Sequence, residues 1–240
     1  MRIVKALPAG LDLDEFGRAA ARAAAAGFKA VEDAGEVHSP EDVPVDPSHW
    51  AARRLAASAA GIDIVSLRAV RVRPQRPDPA DQAFVSEIQR LIDGAAEAGA
   101  AVVSLGPLAD EALTAGAGRR PEFGLGAARA VRFDGERRGV RLAIVPGGGL
   151  APSSPAECRE WLDEVNAWWV GADLDLAALP ASGPLEEWLG TLTHRVAVVR
   201  ITAVDWTAKD WRRADEALAA ARFEGPVVVH AMPPFANSGR

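Results

Sequence analysis

The sequence predicts a single (β/α)8 barrel spanning residues 1–240, and three observations support this fold class. First, alanine-rich helical stretches alternate with short runs of β-branched and apolar residues, and eight such runs occur along the chain. Second, the runs are almost continuously apolar, which is typical of parallel strands covered on both faces. Third, glycines at positions 27, 61, 99 and 139 separate a helical stretch from the next run. A helix end of this kind requires a residue with positive φ, which glycine adopts without a steric clash.

The order of the elements favours a closed barrel over an open doubly wound sheet. An open sheet that binds a dinucleotide usually has a Gly-x-Gly-x-x-Gly turn after its first strand. The residues after Lys5 read Ala-Leu-Pro-Ala-Gly instead. Asp46-Pro47, Asp78-Pro79 and Ser154-Pro155 predict helix starts, and Glu157 predicts a capping box with Ser154. The eight predicted strands are residues 3–6, 30–33, 62–68, 102–105, 141–145, 171–175, 196–201 and 227–231.

Composition excludes several classes of partner. The chain has 27 basic and 33 acidic residues, so its net charge of -6 predicts no binding to nucleic acid or to anionic membranes. Cys158 is the only cysteine, which excludes an internal disulfide and fits a reducing compartment. The amino terminus reads as a strand and not as a signal peptide. No apolar run approaches the roughly 20 residues of a membrane span. We therefore expect a cytoplasmic protein, and the oligomeric state stays open.

Four phrases in the chain resemble a known family. They are GFKAVE from Gly27, GIDIVSL from Gly61, RGVRLAI from Arg138 and VGADLD from Val170. Their order and spacing are similar to the xylose isomerase-like TIM-barrel family of sugar phosphate isomerases and epimerases. The resemblance runs from about Gly10 to about Met232, across all eight units.

The resemblance implies a metal site that this chain has largely lost. Family members usually hold one divalent metal with a glutamate, an aspartate, a histidine and a glutamate that end strands five to eight. The corresponding residues here are Val145, Asp175, Arg200 and His230, so only the aspartate is retained. One carboxylate and one imidazole beside an arginine make a poor site for a divalent metal. We therefore expect no metal and no other cofactor.

The remaining polar residues at the carboxyl ends of the strands are the candidates for chemistry, because barrels of this kind place their active sites there. We expect Arg200 to set its guanidinium against Asp175, either to polarise an oxyanion or as an inert salt bridge. His230 is the best acid/base candidate, since imidazole titrates near neutral pH, or it is a plain hydrogen-bonding residue. The candidate catalytic residues are His230, Asp175, Arg200, Glu32 and Asp173.

The candidate substrate-binding residues are Arg68, Ser66, Ser104 and Trp206. Arg68 opens an arginine-rich segment that suits an anionic substrate, or is a solvated run of charge. Trp206 lines the substrate pocket or packs between helices and barrel. Glu32 is either a second carboxylate facing the substrate or a solvated charge at a loop edge.

Two functions remain open at this point. The first is a metal-independent isomerase, epimerase or related lyase that transfers a proton on a small oxygenated substrate. The second is a non-catalytic barrel that binds a small molecule or a protein partner. Solvent-reachable Asp175, Arg200 and His230 that converge in the mouth would favour catalysis, whereas a plugged mouth would favour the second function.

Overall fold

Eight parallel strands close into a barrel in chain order in the computed structural model, with β1 paired to both β2 and β8. The structure describes residues 2–37, 43–44, 46–71, 82–106, 122–146, 152–177, 179, 183–201 and 206–230. The predicted fold class is confirmed. The strands are β1 Arg2–Ala9, β2 Ala30–Val37, β3 Asp63–Arg71, β4 Val102–Leu105, β5 Arg141–Ile144, β6 Val170–Asp175, β7 Val196–Ile201 and β8 Pro226–Val229.

Helices cover the outside of the barrel. Within the described ranges they are α1 Leu13–Ala25, α2 Pro47–Ala59, α3 Gln82–Ala98, α4 Glu122–Arg138, α5 Pro155–Val165, α6 Leu185–Leu192 and α7 Ala208–Ala220, with a 3-10 turn at Thr193–Arg195. The four predicted glycine turns all have positive φ, between 68° and 91°. None of the described helices is both long and apolar enough to cross a membrane.

The observed starts of α2 and α5 agree with the predicted helix starts. Asp46 caps α2 by accepting from the backbone N–H of Ser48, and Ser154 caps α5 by accepting from that of Glu157. The Glu157 carboxylate reaches back one residue further than predicted, to the N–H and hydroxyl of Ser153. Asp78-Pro79 lies outside the described residues.

Strands β2 and β3 are longer than predicted, and this changes the position of two site candidates. They remain paired from Ala34 opposite Arg68 to Val37 opposite Arg71. The extension includes Ala34 and Gly35, which have weak intrinsic β propensity, so mutual pairing and not local sequence carries the strands onward. Glu32 and Ser66 therefore lie inside their strands and not at the ends.

The barrel interior has an apolar lower part and a polar band above it. Small side chains such as Val4, Ala30 and Ala143 form the buried apolar cluster inside the strands. Outside the strands, larger side chains such as Phe16 and Trp188 fill the space beneath the helices. The polar band above the inner cluster contains Glu32, Ser66, Ser104, Asp173 and Arg200, all at most 1% exposed.

We predict that Gly171→Ala, in the middle of this packing, destabilises the fold by roughly 1 to 3 kcal/mol through overpacking. A Cβ at Gly171 would lie 2.4 Å from the backbone oxygen of Arg195 and 2.9 Å from Nη2 of Arg141. The matched control is Gly190→Ala in α6, where an added Cβ meets no atom within 4 Å. The control should stabilise the helix by up to about 1 kcal/mol. Urea denaturation measures both changes, and equal effects would contradict the prediction.

Candidate functional site

Arg200 lies at the centre of the polar band and is fully buried. Its two terminal nitrogens meet the two carboxylate oxygens of Glu32, at 2.5 Å for Nη1 to Oε1 and 3.0 Å for Nη2 to Oε2. Nη2 also donates to Oδ2 of Asp173 at 2.6 Å. The arginine on β7 thus joins a carboxylate on β2, across the barrel, to one on β6.

Two serines complete the network. The hydroxyl of Ser66 donates to Oε2 of Glu32 at 3.0 Å, and that of Ser104 donates to Oδ2 of Asp173. Both hydroxyls therefore face buried carboxylates. Oδ1 of Asp173 and Nε of Arg200 have no hydrogen-bond partner among the residues that the structure describes. Glu32 is not a solvated charge at a loop edge, because only 1% of it is exposed.

Opposing electrostatic effects act on Arg200. Burial tends to lower its pKa, but the charges of Asp173 and Glu32 outweigh this effect and raise the pKa above its ordinary value. The guanidinium is therefore always charged. Its terminal nitrogens are already occupied by carboxylates, so Arg200 as it stands cannot polarise a substrate oxygen.

The prediction that Arg200 faces Asp175 is wrong. The Cα atoms of the two residues pair in register, yet the arginine fork reaches Asp173 and Glu32. Asp175 is half-buried, and its Oδ1 accepts from the backbone N–H of Ala177 at 3.1 Å. The arginine side chain is long enough to reach carboxylates that lie deeper in the barrel than its own Cα. Those carboxylates are more completely buried than Asp175.

The residues at the family's metal positions do not fit a divalent metal. Val145 is buried and apolar, and Arg200 brings a permanent positive charge to the position of a ligand. Asp175 and His230 are the two groups left that could donate to a metal. In the part of the chain that the structure describes, no three His, Cys, Asp or Glu side chains are grouped so as to hold a metal.

His230 lies exposed directly after β8, at the carboxyl end of the barrel. Its pKa is lowered from the ordinary value, first by partial burial of the ring and then by the charges of Lys5, Arg200 and Arg68. Glu32 opposes this shift. The imidazole is therefore mainly neutral at pH 7 and able to accept a proton.

Lys5 is a neighbour of His230 that the sequence reasoning missed. Its ammonium group donates to the backbone oxygen of His230, and partial burial lowers the pKa of Lys5. The available signal was a single charged residue inside the apolar first strand, where a charge needs a specific partner.

The remaining candidates lie closer to the rim. Arg68 is half-buried on β3, and its Nε is buried without a hydrogen-bond partner in the part of the chain that the structure describes. The side chains of the other arginines in its segment, and Thr202, lie outside the described residues. Trp206 is half-buried and packs edge-on against Trp211, with ring centroids 5.4 Å apart. This contact supports the packing role of Trp206, and its role as a pocket wall stays a prediction.

We predict that Arg200→Leu costs roughly 3 to 5 kcal/mol of stability, because it leaves two uncompensated buried carboxylates. Adding Glu32→Gln should recover much of this loss. Adding Asp175→Asn instead should recover little, since the arginine fork does not bond Asp175. Chemical denaturation of the single and double variants measures the coupling energy, and additive effects of the Arg200 and Glu32 changes would contradict the network.

A second prediction concerns the titration of His230. Its imidazole should titrate below the ordinary histidine value of about 6.5. Lys5→Met should move the pKa upward, since it removes a nearby positive charge. Lys209→Met, at an exposed position in α7, is the matched control and should leave it unchanged. NMR of the four histidines, with His230→Gln for assignment, measures the shift. A wild-type value at or above 6.5 would contradict the proposed electrostatics.

Comparisons with solved structures agree with the observed barrel. The chain is similar to a D-psicose 3-epimerase from Clostridium cellulolyticum H10, solved with D-tagatose, at 13% identity and a TM-score of 0.75. That match covers 95% of this chain and 84% of the epimerase. An L-ribulose 3-epimerase matches at 17% identity and a TM-score of 0.74, over 97% of this chain and 82% of the other. At these identities the similarity establishes the fold alone.

A further similar structure comes from Mycobacterium smegmatis. It is a xylose isomerase-like TIM-barrel protein in complex with magnesium, with 14% identity and a TM-score of 0.67 over 92% of this chain and 82% of the other. A comparison with curated protein sequences finds no significant match. The family model described as xylose isomerase-like TIM barrel matches residues 20–237. This match spans most of the chain, so the protein belongs to the xylose isomerase-like TIM-barrel family.

Proposed function

We propose that the protein is a sugar isomerase- or epimerase-like enzyme that transfers a proton on a small oxygenated substrate, and that His230 is its acid/base. The observation that carries the proposal is the position of the His230 imidazole, exposed at the carboxyl end of β8. Barrel enzymes place catalytic groups at this end. A neutral imidazole can remove a proton from a carbon beside a carbonyl and return it to the same or the neighbouring carbon.

Asp175 is the proposed second acid/base group. Glu32 and Asp173, the other two candidates, are buried and bonded to Arg200, so a substrate in the mouth cannot reach them. Asp175 is half-buried at the end of β6 and therefore lies nearer to the mouth. Epimerisation inverts a carbon centre, so a group on each side of the substrate suits this reaction.

Arg68 is the proposed partner of the negative charge that develops on the substrate oxygen. Its Nε finds no acceptor among the described residues. An arginine fork matches carboxylate, phosphate and enediolate oxygens, so an anionic substrate is part of the proposal. Arg200 acts as a positioning residue that holds β2, β6 and β7 together.

We propose that the reaction proceeds without a metal. The donor set argues for this, since a valine and a permanently charged arginine occupy two of the family's ligand positions. The magnesium complex of the mycobacterial relative is a property of that protein. The single cysteine and the net charge of -6 support a cytoplasmic enzyme that does not bind nucleic acid.

A second candidate function rests on a specific observation. Arg200 is fully buried, so one of the three residues expected to converge in an open mouth is inaccessible. A barrel whose former metal site has become a structural network could bind a small molecule or a protein partner without catalysis. His230 distinguishes the two functions, because only an enzyme needs its proton transfer.

We predict that the protein incorporates solvent deuterium at a carbon beside the carbonyl of a small keto sugar or its phosphate. The measurement is mass spectrometry of candidate sugars incubated with the protein in heavy water and a chelator. His230→Gln should slow exchange by about 10² to 10⁴, the usual contribution of general acid/base catalysis. His194→Gln is the matched control, because that exposed histidine precedes β7 at the opposite end of the barrel.

Three outcomes would contradict parts of this proposal. Exchange that stops with chelator and returns with manganese would overturn the metal-independent mechanism. Exchange that is undiminished in His230→Gln would remove His230 from it. Sugars that raise the melting temperature without any exchange would favour the binding barrel.

A further inference from the structure

A cavity lies at the end of the barrel away from His230. It has a volume of about 270 Å³ and lies between α4 and the connection from α5 to β6. Trp169 directly precedes β6 and Arg195 directly precedes β7, which places the cavity at the amino ends of the strands. Its walls include Arg132, Phe133, Glu136, Trp168, Trp169 and Arg195.

Arg195 is a buried cation in this wall that forms no ion pair with a carboxylate in the described part of the chain. It is 9% exposed, and its Nη2 donates to the backbone oxygen of Leu162 at 2.5 Å. Its Nε is buried and has no hydrogen-bond partner among the described residues. Asp163 is the nearby carboxylate, but it pairs with Arg159 at 2.9 Å. A buried guanidinium in this state favours an anion beside it.

Two further groups add to the excess of donors. The indole N–H of Trp169 is buried and has no acceptor within the described ranges. The guanidinium of Arg132 lies 4.7 Å from the ring centroid of Phe133 and forms none of the ion pairs seen in the described part of the chain. Glu136 is the one carboxylate among the described lining residues, and it is exposed.

The same cavity has aromatic walls that are open to solvent. Phe133 is 56% exposed and Trp168 is 59% exposed. The rings of Trp168 and Trp169 lie 4.2 Å apart at an angle of 35°. Large aromatic side chains exposed around a cavity indicate a binding surface for a planar group.

We infer that this cavity binds a small aromatic carboxylate. The carboxylate would accept from Arg195 or Arg132, while its ring packs against Trp168 and Phe133. The cavity volume of about 270 Å³ suits a ligand of one or two rings. The inference does not depend on the proposed isomerase activity, because the site lies at the other end of the barrel.

The test is a titration with benzoate, using benzamide and acetate as matched probes. Benzamide keeps the ring but loses the charge, and acetate keeps the charge but loses the ring. We expect saturable calorimetric binding of benzoate, at least about tenfold tighter than either probe, as expected when charge and ring both contribute. Among the seven tryptophan indole N–H signals in NMR spectra, that of Trp169 should shift because the ring of benzoate packs beside it, with Trp169→Phe for assignment.

Two surface variants locate the site without disturbing the core. Trp168→Ala and Arg132→Gln should each weaken benzoate binding by about tenfold or more. Leu55→Ala and Arg212→Gln, at exposed positions on α2 and α7, are the matched controls and should bind as the wild type does.

Three results would overturn the inference. One is the absence of saturable benzoate binding. Another is acetate or benzamide binding as tightly as benzoate. The third is sedimentation showing self-association that Trp168→Ala abolishes and benzoate does not affect, which would make the cavity an interface between two copies of the chain.

Discussion

The buried pairing of Arg200 with Glu32 and Asp173 is the interaction on which the barrel interior depends. It joins β7 to β2 and β6 directly, and Ser66 and Ser104 extend it to β3 and β4. Five of the eight strands therefore share one hydrogen-bonded network. Its members are far apart in sequence, so the network can form only when the barrel closes. Burying three charges has a large desolvation cost, which only their mutual pairing offsets.

This network also divides the barrel along its axis into a packed interior and an upper part that a substrate could reach. The lower interior is filled by small apolar side chains, and the charged band lies above them. Groups that a substrate could reach must therefore lie above the band, where His230 is exposed and Asp175 and Arg68 are half-buried. The resemblance to the family implies a metal ligand at the position of Arg200. Here Arg200 is paired with two buried carboxylates and cannot contact a substrate. Any group that reacts with a substrate must therefore lie nearer to the rim.

The sequence predicted well those features that depend on residues close together in the chain. Strand positions followed from apolar runs and positive-φ glycines, and the observed strands begin within one residue of the predicted ones. The caps of α2 and α5 were likewise predictable, because a cap depends on neighbouring residues alone. The length of β2 and β3 was not predictable in this way. Their extension depends on pairing between residues such as Gly35 and Ala69, which have no strong strand signal of their own.

The sequence predicted which residues form the buried network but not which of them bond to each other. All five residues of the buried network were named from the sequence, yet the partner of Arg200 was assigned to Asp175. That assignment used adjacency on neighbouring strands, whereas the true contact with Glu32 spans 168 positions. A glutamate directly after Val31 in the predicted strand was the signal for this contact, since a buried charge requires a counter-charge. Lys5 carried the same signal in β1.

The electrostatics of the rim follow from this arrangement. The chain carries a net charge of -6, yet at His230 partial burial first, and then the charges of Lys5, Arg200 and Arg68, lower the pKa, while Glu32 opposes them. Arg200 is paired with two carboxylates, so Lys5 and Arg68 are the other two cations that act on the imidazole. Cations at the rim favour an anionic substrate and stabilise negative charge that develops on an oxygen during proton transfer. Together with the partial burial of the ring, they keep the imidazole neutral and available as a base. Under the proposed function, Lys5 and Arg68 therefore supply part of the stabilisation that a divalent metal supplies elsewhere in the family, while leaving the proton acceptor in its active form.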